Sequence, residues 1–254
     1  MRDAAAFLAH AGWGSAKVTP LAGDASNRRY DRLTAPDGTT AVLVDAPPDK
    51  GEDVRPFVRI ARYLKELGLS APDILRQDAD AGFLLIEDLG DRLFAREMVR
   101  DPTCEAPLYH AAANVLLILH EAQSPDLLPY ASETTVPLAA LAYDWYLFGA
   151  TGSENAKAKQ RFTDAFRPII APLDSELKVL IQRDFHAENL LWLPDREGVA
   201  QVGLLDFQDA MLGHPAYDLV SILQDARRDV SKAVEAKVKA AFIANGRHYA
   251  TDFN

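Results

Sequence analysis

The first half of the chain has a pattern of apolar and polar positions that predicts several short strands. Residues 28–47, RRYDRLTAPDGTTAVLVDAP, indicate a strand near 28–33, a turn around Gly38 and a second strand near 40–45. Residues 82–91, GFLLIEDLGD, indicate an apolar strand that runs into an acidic turn. Between them, residues 52–69 place apolar side chains at the helical period, and Gly68 is a helix stop. This half is therefore expected to contain strands and one helix.

The second half is predicted to be mainly helical, with a group of short strands inserted. The apolar stretches 106–122 and 137–149 predict helices, and two more helices are expected near 216–227 and 231–244. Strands are expected at 178–182, 189–193 and 199–207, the last two separated by the turn PDREG. The predicted fold class is α+β, with a strand-rich lobe over 1–88 and a mainly helical lobe over 89–254.

Composition adds few constraints but excludes several classes of protein. The chain has 254 residues, 48% of them hydrophobic and 25% charged, which is ordinary for a globular protein. A single cysteine, Cys104, allows neither an internal disulfide nor a cysteine-based zinc site. The N-terminal sequence is not that of a signal peptide, and no apolar stretch reaches the length of a transmembrane helix. We therefore expect a cytoplasmic protein without a membrane partner.

The charge balance argues against nucleic acid as a partner. The formal net charge is −10, whereas proteins that bind nucleic acid rely on lysine and arginine to contact phosphates. A nucleotide site remains compatible with this charge, because carboxylates can hold a divalent metal that bridges to phosphate.

Three polar side chains lie at the ends of apolar strands in the second half. Asp184 and Asn189 occupy the loop of LIQRDFHAENLLWL (180–193), and Asp206 ends the strand VGLLD. Asp and Asn are common turn residues, so this pair alone fits an ordinary surface turn better than a site. An acid at the end of a buried strand is costly without a partner such as a metal, so Asp206 favours a chemical role.

The order and spacing of these three residues match the needs of phosphoryl transfer. In that reaction a base aspartate orients the attacking hydroxyl, and an asparagine and a second aspartate hold Mg²⁺ on the nucleotide. The protein-kinase template is H-R-D-x4-N followed by D-F-G, and this chain has QRDFHAEN followed by DFQ. We therefore expect Asp184 to be the catalytic base, Asn189 and Asp206 to be metal ligands, and ATP and Mg²⁺ to be the cofactors.

The loop resembles that of the aminoglycoside phosphotransferase and choline kinase family, written H-G-D-x-H-x-x-N. The chain matches D-x-H-x-x-N but has Gln182 and Arg183 before the aspartate. The resemblance implies a two-lobed, protein-kinase-like fold. His186 is interpreted as a residue that braces the loop, and a catalytic role is the alternative. The stretch GHPAYDLVSIL (213–223) resembles the family's P-x-x-D-L element, which implies that Asp218 ties the loop down from a helix. A simple carboxylate at a helix N-terminus is a compatible alternative for Asp218.

Longer stretches resemble one branch of that family, the bacterial kinases that phosphorylate the anomeric hydroxyl of N-acetylmuramate or N-acetylglucosamine in cell-wall recycling. They include LAGDASNRRYDRL, GFLLIEDLGD and GLLDFQDAMLGHPAYDLVSILQDARRDV, and the resemblance covers nearly the whole chain. It implies an ATP-dependent sugar kinase with a small-molecule sugar as its partner; the oligomeric state stays open. Members of that branch continue with further helices, so we expect C-terminal helices to be missing here.

The nucleotide site implied by this resemblance draws on the first lobe. The turn GDASNRRY (23–30) would cover the phosphates and supplies the candidates Ser26, Asn27, Arg28 and Arg29. Alternation along a strand allows at most one of the two arginines to point inward. The backbone near Glu87 and Leu89 would contact the adenine edge; an ordinary turn after a strand is the alternative. The phosphate-binding lysine expected on the third strand has no counterpart, because Val44 or Asp45 stands in its place. We expect an arginine from residues 28–32 to supply the missing charge, since a guanidinium binds phosphate well; the alternative is a protein that binds nucleotide poorly and is not a kinase.

The acceptor site has the weakest signals. Trp145 and Tyr146 are candidates for stacking on a sugar, although aromatic residues at helical spacing more often belong to a core. Arg227 and its neighbour Arg228 are candidates for binding a carboxylate, and a solvated helix face explains them equally well. Two other functions stay open: a phosphotransferase for an aminoglycoside, choline or homoserine, and a nucleotide-binding protein without catalysis, which the missing lysine would favour.

Overall fold

The computed structural model describes residues 2–21, 27–176 and 178–246. The chain divides into two compact units. The first comprises Met1–Val115 and His186–Asp209, and the second comprises Leu116–Phe185 and Ala210–Asn254. This division is not drawn at the boundary expected near residues 88–90, and the lobes 1–88 and 89–254 stay a prediction.

The first unit is built on a five-stranded antiparallel sheet with the order β1-β2-β3-β5-β4. The strands are β1 (Lys17–Pro20), β2 (Arg29–Thr34), β3 (Thr40–Asp45), β4 (Ile74–Asp78) and β5 (Phe83–Glu87). The central strand β3 pairs with β2 and β5, and its Val42 lies opposite Arg32 on one side and Ile86 on the other. Because cross-strand partners share a face, this register fixes which side chains point to which side of the sheet.

The two faces of this sheet have different surroundings. One face packs against helix α1 (Ala4–His10) through a cluster of buried apolar side chains that includes Phe7, Leu33, Leu43 and Leu85. The opposite face carries Arg32 and its register partners and lines a cavity. The face that packs against α1, called the outer face below, is therefore covered by other parts of the protein. The opposite face, called the cavity face, is available to a ligand.

Three helices and a hairpin complete the first unit. The helices are α2 (Arg55–Glu66), α3 (Phe94–Arg100) and the start of α4 (Glu105–Glu121). Strands β7 (Leu190–Trp192) and β8 (Val202–Leu204) form an antiparallel hairpin. Backbone hydrogen bonds anchor this hairpin, from Leu204 N–H to Ser70 O at 2.9 Å and from Trp192 N–H to Arg92 O at 2.8 Å. These contacts fix the residues that flank the hairpin, among them Asn189 and Asp206.

The second unit is mainly helical. Its helices after α4 are α5 (Ser132–Ala142), α6 (Phe148–Thr151), α7 (Ala156–Ile170), α8 (Ala216–Leu223) and α9 (Lys232–Asn245). A π-helical turn, Tyr143–Leu147, joins α5 to α6. Strands β6 (Val179–Ile181) and β9 (Met211–Gly213) pair antiparallel and end beside the polar loop. No helix among the described residues is long and apolar enough to cross a membrane.

Most of the predicted elements are present, some with the expected bounds and others shifted or shorter. The strands expected at 28–33, 40–45 and 82–91 correspond to β2, β3 and β5, and the helix expected over 52–69 is α2. The strands expected near 178–182, 189–193 and 199–207 are β6, β7 and β8, the last beginning only after a 3₁₀ turn at Gly198–Gln201. The α+β class is confirmed by the sheet of the first unit and the helices of the second.

Other expectations about the elements are wrong. The first half contains α1 and α3 as well as α2, because short helices of seven residues show too little periodicity to detect. Strands β1, β4 and β9 were not expected. The helix expected over 216–227 ends at Leu223, so Arg227 and Arg228 lie in the turn after it and not on a helix face.

Candidate active site

A cavity of about 330 Å³ lies within the first unit and collects two sets of predicted site residues. The segment after β5 contributes Glu87 and Leu89, which were expected to contact adenine. The ends of the β7–β8 hairpin contribute Asn189 and Asp206, which were expected to bind a metal. The remaining wall comes from the sheet and from Phe57 of α2. Residues separated by about half of the chain therefore meet in one cavity.

Arg32 joins the sheet to the segment that follows β5. Its Nε lies 2.7 Å from Oδ2 of Asp88, and its Nη1 lies 2.7 Å from Oδ2 of Asp91. The hydrogen bonds with Asp91 and then Asp88 raise the pKa of the Arg32 guanidinium, so its charge is permanent. The two ion pairs hold residues 88–91 against β2 and thereby define one end of the cavity.

Glu87 is held by protein groups on two sides. Its backbone N–H donates to the carbonyl of Asp73 at 2.8 Å. Its carboxylate forms an ion pair with Arg196 and accepts a hydrogen bond from the N–H of Asp73 at 3.2 Å. The end of β5 is therefore fixed before any ligand enters the cavity.

Asn189 and Asp206 lie side by side within the first unit. Nδ2 of Asn189 lies 3.4 Å from Oδ2 of Asp206 and 3.3 Å from Nε2 of the buried His186. The backbone N–H of Asn189 also donates to the carbonyl of His186 at 2.9 Å. The side chain of Gln208 donates to Oδ1 of Asp206 at 2.5 Å. His186 and Gln208 thus flank the pair and restrict its orientation.

The donor set of this pair suits a small divalent cation. Mg²⁺ prefers oxygen ligands at about 2.1 Å, and neighbouring ligands in its octahedral shell are about 3 Å apart. Turning the Asn189 amide over presents Oδ1 where Nδ2 now lies, so the pair offers an amide oxygen and a carboxylate oxygen at that spacing. Asp206 is exposed and has a positive φ of 56°, a conformation that is uncommon for residues other than glycine and that occurs often at functional sites.

Asp184 belongs to the second unit, where the chain leaves β6. The backbone N–H groups of the two residues before it, Gln182 and Arg183, donate to Oδ2 and Oδ1 of Asp218 at 2.7 and 3.1 Å. Asp218 lies in the first turn of α8 and its residue is only 1% exposed. The contact that the family resemblance implied for Asp218 is therefore present, and it fixes the backbone that leads into Asp184.

The burial of Asp218 has an electrostatic consequence. Burial raises the pKa of this carboxyl to about 7. The nearby charge of Asp184 also raises the pKa, whereas the two backbone hydrogen bonds lower it. A carboxylate is costly to desolvate, and two N–H donors offset only part of that cost. The loop is thus anchored by a group that titrates near neutrality.

Arg183 adopts a conformation that favours glycine. Its φ is 73°, and the family pattern has a glycine at this position. A non-glycine residue in the left-handed region costs about 1–2 kcal/mol. The guanidinium lies over the ring of Tyr130, 5.4 Å from its centroid, and Tyr130 packs edge-on against Tyr217. This contact offsets part of the backbone strain.

The phosphate-covering turn is only partly described. Ser26 lies outside the described residues, so its predicted role stays a prediction. The backbone N–H of Asn27 donates to Oε1 of Glu52 at 3.0 Å, and Nε of Arg28 donates to Oε2 of the same carboxylate at 2.7 Å. Glu52 precedes α2, so one side chain joins the start of β2 to the start of that helix.

Arg29 points away from the cavity. Its side chain is 62% exposed and pairs with Asp31 at 3.0 Å and with Asp45 at 3.3 Å. Asp45 therefore lies on the outer face of the sheet, together with Asp31. Val44 lies opposite Tyr30, which lines the cavity, so the cavity face of β3 carries valine where the template has lysine.

The acceptor candidates lie in the second unit. Trp145 and Tyr146 are 75% and 80% exposed in the π-helical turn, so the alternative that they belong to the core is wrong for the described structure. Arg227 lines a cavity of about 540 Å³ together with Tyr217 and His214. Each candidate is therefore accessible to a small molecule.

Sequence reasoning did not single out two contributors to the cavity. Gln208 follows Asp206 in DFQ, and its position in the template's D-F-G was the available signal. Arg32 was expected only as one of the arginines of residues 28–32, and its ion pairs had no local signal, because its carboxylate partners Asp88 and Asp91 are 56 and 59 residues away in the chain. Only the fold brings such residues together.

The described elements have a protein-kinase-like fold, which solved structures of aminoglycoside phosphotransferases share. The crystal structure of the aminoglycoside phosphotransferase APH(2'')-Ib with ADP bound aligns over 95% of this chain and 82% of that one, with a TM-score of 0.68 and 14% identity. At that identity the likeness shows the fold alone.

The chain belongs to the phosphotransferase enzyme family, whose model matches residues 17–251. It is 38% identical to the N-acetylmuramate/N-acetylglucosamine kinase of Caulobacter vibrioides, over 94% of this chain and 76% of that protein. It is 35% identical to the kinase of the same name from Neisseria meningitidis, over 82% of this chain and 61% of that protein. The chain thus spans about three fifths to three quarters of the length of these relatives.

Proposed function

We propose that the protein transfers the γ-phosphoryl group of ATP to the anomeric hydroxyl of N-acetylmuramate or N-acetylglucosamine. The observation that carries the proposal is the cavity in which the segment after β5 meets Asn189 and Asp206. Membership of the family supports phosphoryl transfer to a small molecule. The choice of sugar rests on the relatives, both of which are named for these two substrates.

The nucleotide would lie in the cavity of the first unit with its base at the end of β5. The N–H of Glu87 donates to Asp73, so the carbonyl of Glu87 and the N–H of Leu89 are the groups proposed to contact adenine. Val42 and Ile86 supply apolar surface for the ring. Arg32 holds this end in place through Asp88 and Asp91.

Asn189 and Asp206 would hold Mg²⁺, which when bound neutralises charge on the transferring phosphates. His186 and Gln208 keep this pair oriented. The two protein ligands leave most of the coordination shell to phosphate oxygens and water, as is usual for Mg²⁺.

Asp184 would orient the sugar and take up its proton. The anomeric hydroxyl attacks the γ-phosphorus, a new P–O bond forms, and the bond to the bridging β–γ oxygen breaks to release ADP. The proton of the hydroxyl passes to the carboxylate of Asp184. Asp218 positions this group through the backbone of Gln182 and Arg183. Most of the rate would come from positioning and charge stabilisation.

The sugar would be bound by groups of the second unit. The exposed Trp145 and Tyr146 are proposed to stack on the ring, and Arg227 to bind a carboxylate on the acceptor. A guanidinium suits a carboxylate because it can donate two parallel hydrogen bonds.

An acceptor panel tests the proposed function. Consumption of ATP would be measured with N-acetylmuramate, N-acetylglucosamine, an aminoglycoside, choline and homoserine. The 1-O-methyl glycoside of N-acetylglucosamine is the matched control, because its anomeric oxygen is blocked and all other hydroxyls remain. Turnover with the two free sugars and none with the glycoside is expected. Turnover confined to another acceptor would replace the proposed substrate.

Asp206 is expected to determine the Mg²⁺ concentration at which the reaction reaches half of its maximal rate. Asp206→Asn removes an anionic ligand and is expected to raise the Mg²⁺ concentration for half-maximal rate on the order of tenfold or more. The control is Asp209→Asn, a nearby exposed carboxylate that is expected to leave this concentration unchanged. Equal magnesium dependence in the wild type and in Asp206→Asn would remove Asp206 from the ligand set.

A further inference from the structure

The cavity face of the sheet lacks the cation that kinases place on their third strand. In the template a β3 lysine contacts the α- and β-phosphates and pairs with a glutamate of the following helix. Here the residues of β3 on that face are Val42 and Val44, and Asp45 points to the other side. A nucleotide in the cavity would therefore need a cation from elsewhere.

Three arginines in or next to the neighbouring strand β2 differ in their position relative to the cavity. Arg29 lies on the outer face, 62% exposed. Arg32 is on the cavity face, but it is held by the two carboxylates Asp88 and Asp91 at the base end. Arg28 directly precedes β2, two residues before Tyr30, which lines the cavity, and lies at the end of β2 away from Arg32. Its position at the start of β2, away from the ion pairs of Arg32, therefore singles out Arg28.

Arg28 is paired in the manner of the missing lysine. Its Nε donates to Oε2 of Glu52 at 2.7 Å, and the two side chains are only 17% and 10% exposed. The other oxygen of Glu52 accepts the backbone N–H of Asn27, so the carboxylate is fixed at both ends. Burial disfavours the charge of Arg28, but the contacts with Glu52 and Tyr30 outweigh it and raise the pKa of the guanidinium.

We propose that Arg28, positioned by Glu52, binds the α- and β-phosphates of the nucleotide in place of the absent lysine. A guanidinium has five N–H donors, so a contact with Glu52 through Nε is compatible with further contacts to phosphate oxygens. The inference rests on the proposed function because it assumes a nucleotide in the cavity of the first unit. It adds a phosphate ligand and a glutamate that orients it.

Binding measurements with adenosine and with Mg·ATP test the assignment directly. Arg28→Gln is expected to weaken Mg·ATP binding about ten- to a hundredfold, the usual loss for a hydrogen bond to a charged group, and to leave adenosine binding unchanged. Arg28→Lys is expected to restore part of the affinity, because lysine binds phosphate as a point charge. Glu52→Gln is expected to give a smaller loss, again only for Mg·ATP.

Arg29→Gln is the matched comparison, since it removes the same charge one position further along the chain. It is expected to change Mg·ATP affinity by less than twofold. Thermal unfolding of each variant reports whether the fold is intact. The assignment is overturned if Arg28→Gln matches Arg29→Gln, or if a folded Arg28→Gln loses adenosine and Mg·ATP affinity equally.

The same measurements separate this inference from the proposed function. If Mg·ATP binding depends on Arg28 but no phosphate reaches either sugar, the acceptor assignment fails and the phosphate ligand stands. If the sugars are phosphorylated and Arg28→Gln binds Mg·ATP normally, the function stands and Arg28 is excluded. Absence of nucleotide binding by the wild type would overturn both.

Discussion

Asp184→Asn is expected to lower kcat by a factor of about 10²–10⁴, the usual contribution of a general base. The amide keeps the size of the side chain but cannot accept the proton of the attacking hydroxyl. Nucleotide binding is assigned to the first unit, so the affinity for Mg·ATP is expected to stay within a few fold. Steady-state kinetics with a saturating sugar and calorimetry with Mg·ATP measure the two quantities separately.

Asp195→Asn is the control for this experiment. Asp195 is exposed in the turn between β7 and β8, and its replacement removes the same charge from a residue that has no role in the proposed reaction. It is expected to leave kcat unchanged. A kcat for Asp184→Asn close to that of Asp195→Asn would show that Asp184 is not the base.

Asp218→Ala is expected to give the largest loss of stability. It leaves the N–H groups of Gln182 and Arg183 without their acceptor, and each buried unsatisfied group costs about 1–3 kcal/mol. The free energy of unfolding should therefore fall by about 2–6 kcal/mol. Urea unfolding measures this change, with Val220→Ala on the exposed side of α8 as the control. A loss below about 1 kcal/mol would contradict the anchoring role.

The buried carboxyl of Asp218 also predicts a pH dependence. Its folded pKa is raised to about 7, well above the ordinary value near 3.9 of an unfolded aspartate. The folded state then binds the proton more tightly than the unfolded state. The contribution of this proton to the free energy of unfolding is fully present below about pH 4 and is lost as the pH rises through 7. Asp218→Asn should remove the corresponding part of the slope of the free energy of unfolding against pH. Identical slopes for both proteins would contradict the raised pKa.

The elements that could be predicted from sequence are those whose burial leaves a local apolar pattern. Strand β2 alternates and helix α2 follows the helical period, whereas β3 and β5 are short continuous apolar runs buried on both faces. Strands β1 and β4 are edge strands with mostly exposed side chains, so burial imposes no alternation on them. Strand β9 has three residues and is defined by its pairing with β6 and by a bridge from Leu212 to Pro129.

The candidate site likewise contains residues that a local sequence pattern indicates and residue pairs that only the fold brings together. Asp184, Asn189 and Asp206 could be chosen because their types and spacing in one short region match the demands of phosphoryl transfer. The pair of Arg28 with Glu52 joins residues 24 positions apart. Such pairs depend on how the sheet and helices pack, and no local pattern indicates them.

Phosphorus NMR of the reaction product tests the central claim most directly. The purified protein would be incubated with Mg·ATP and N-acetylmuramate, and in parallel with N-acetylglucosamine. The account predicts a sugar 1-phosphate whose phosphorus couples to the anomeric proton, formed by the wild type and not by Asp184→Asn. Intact ATP with both sugars, or phosphate on a different hydroxyl, would contradict the account.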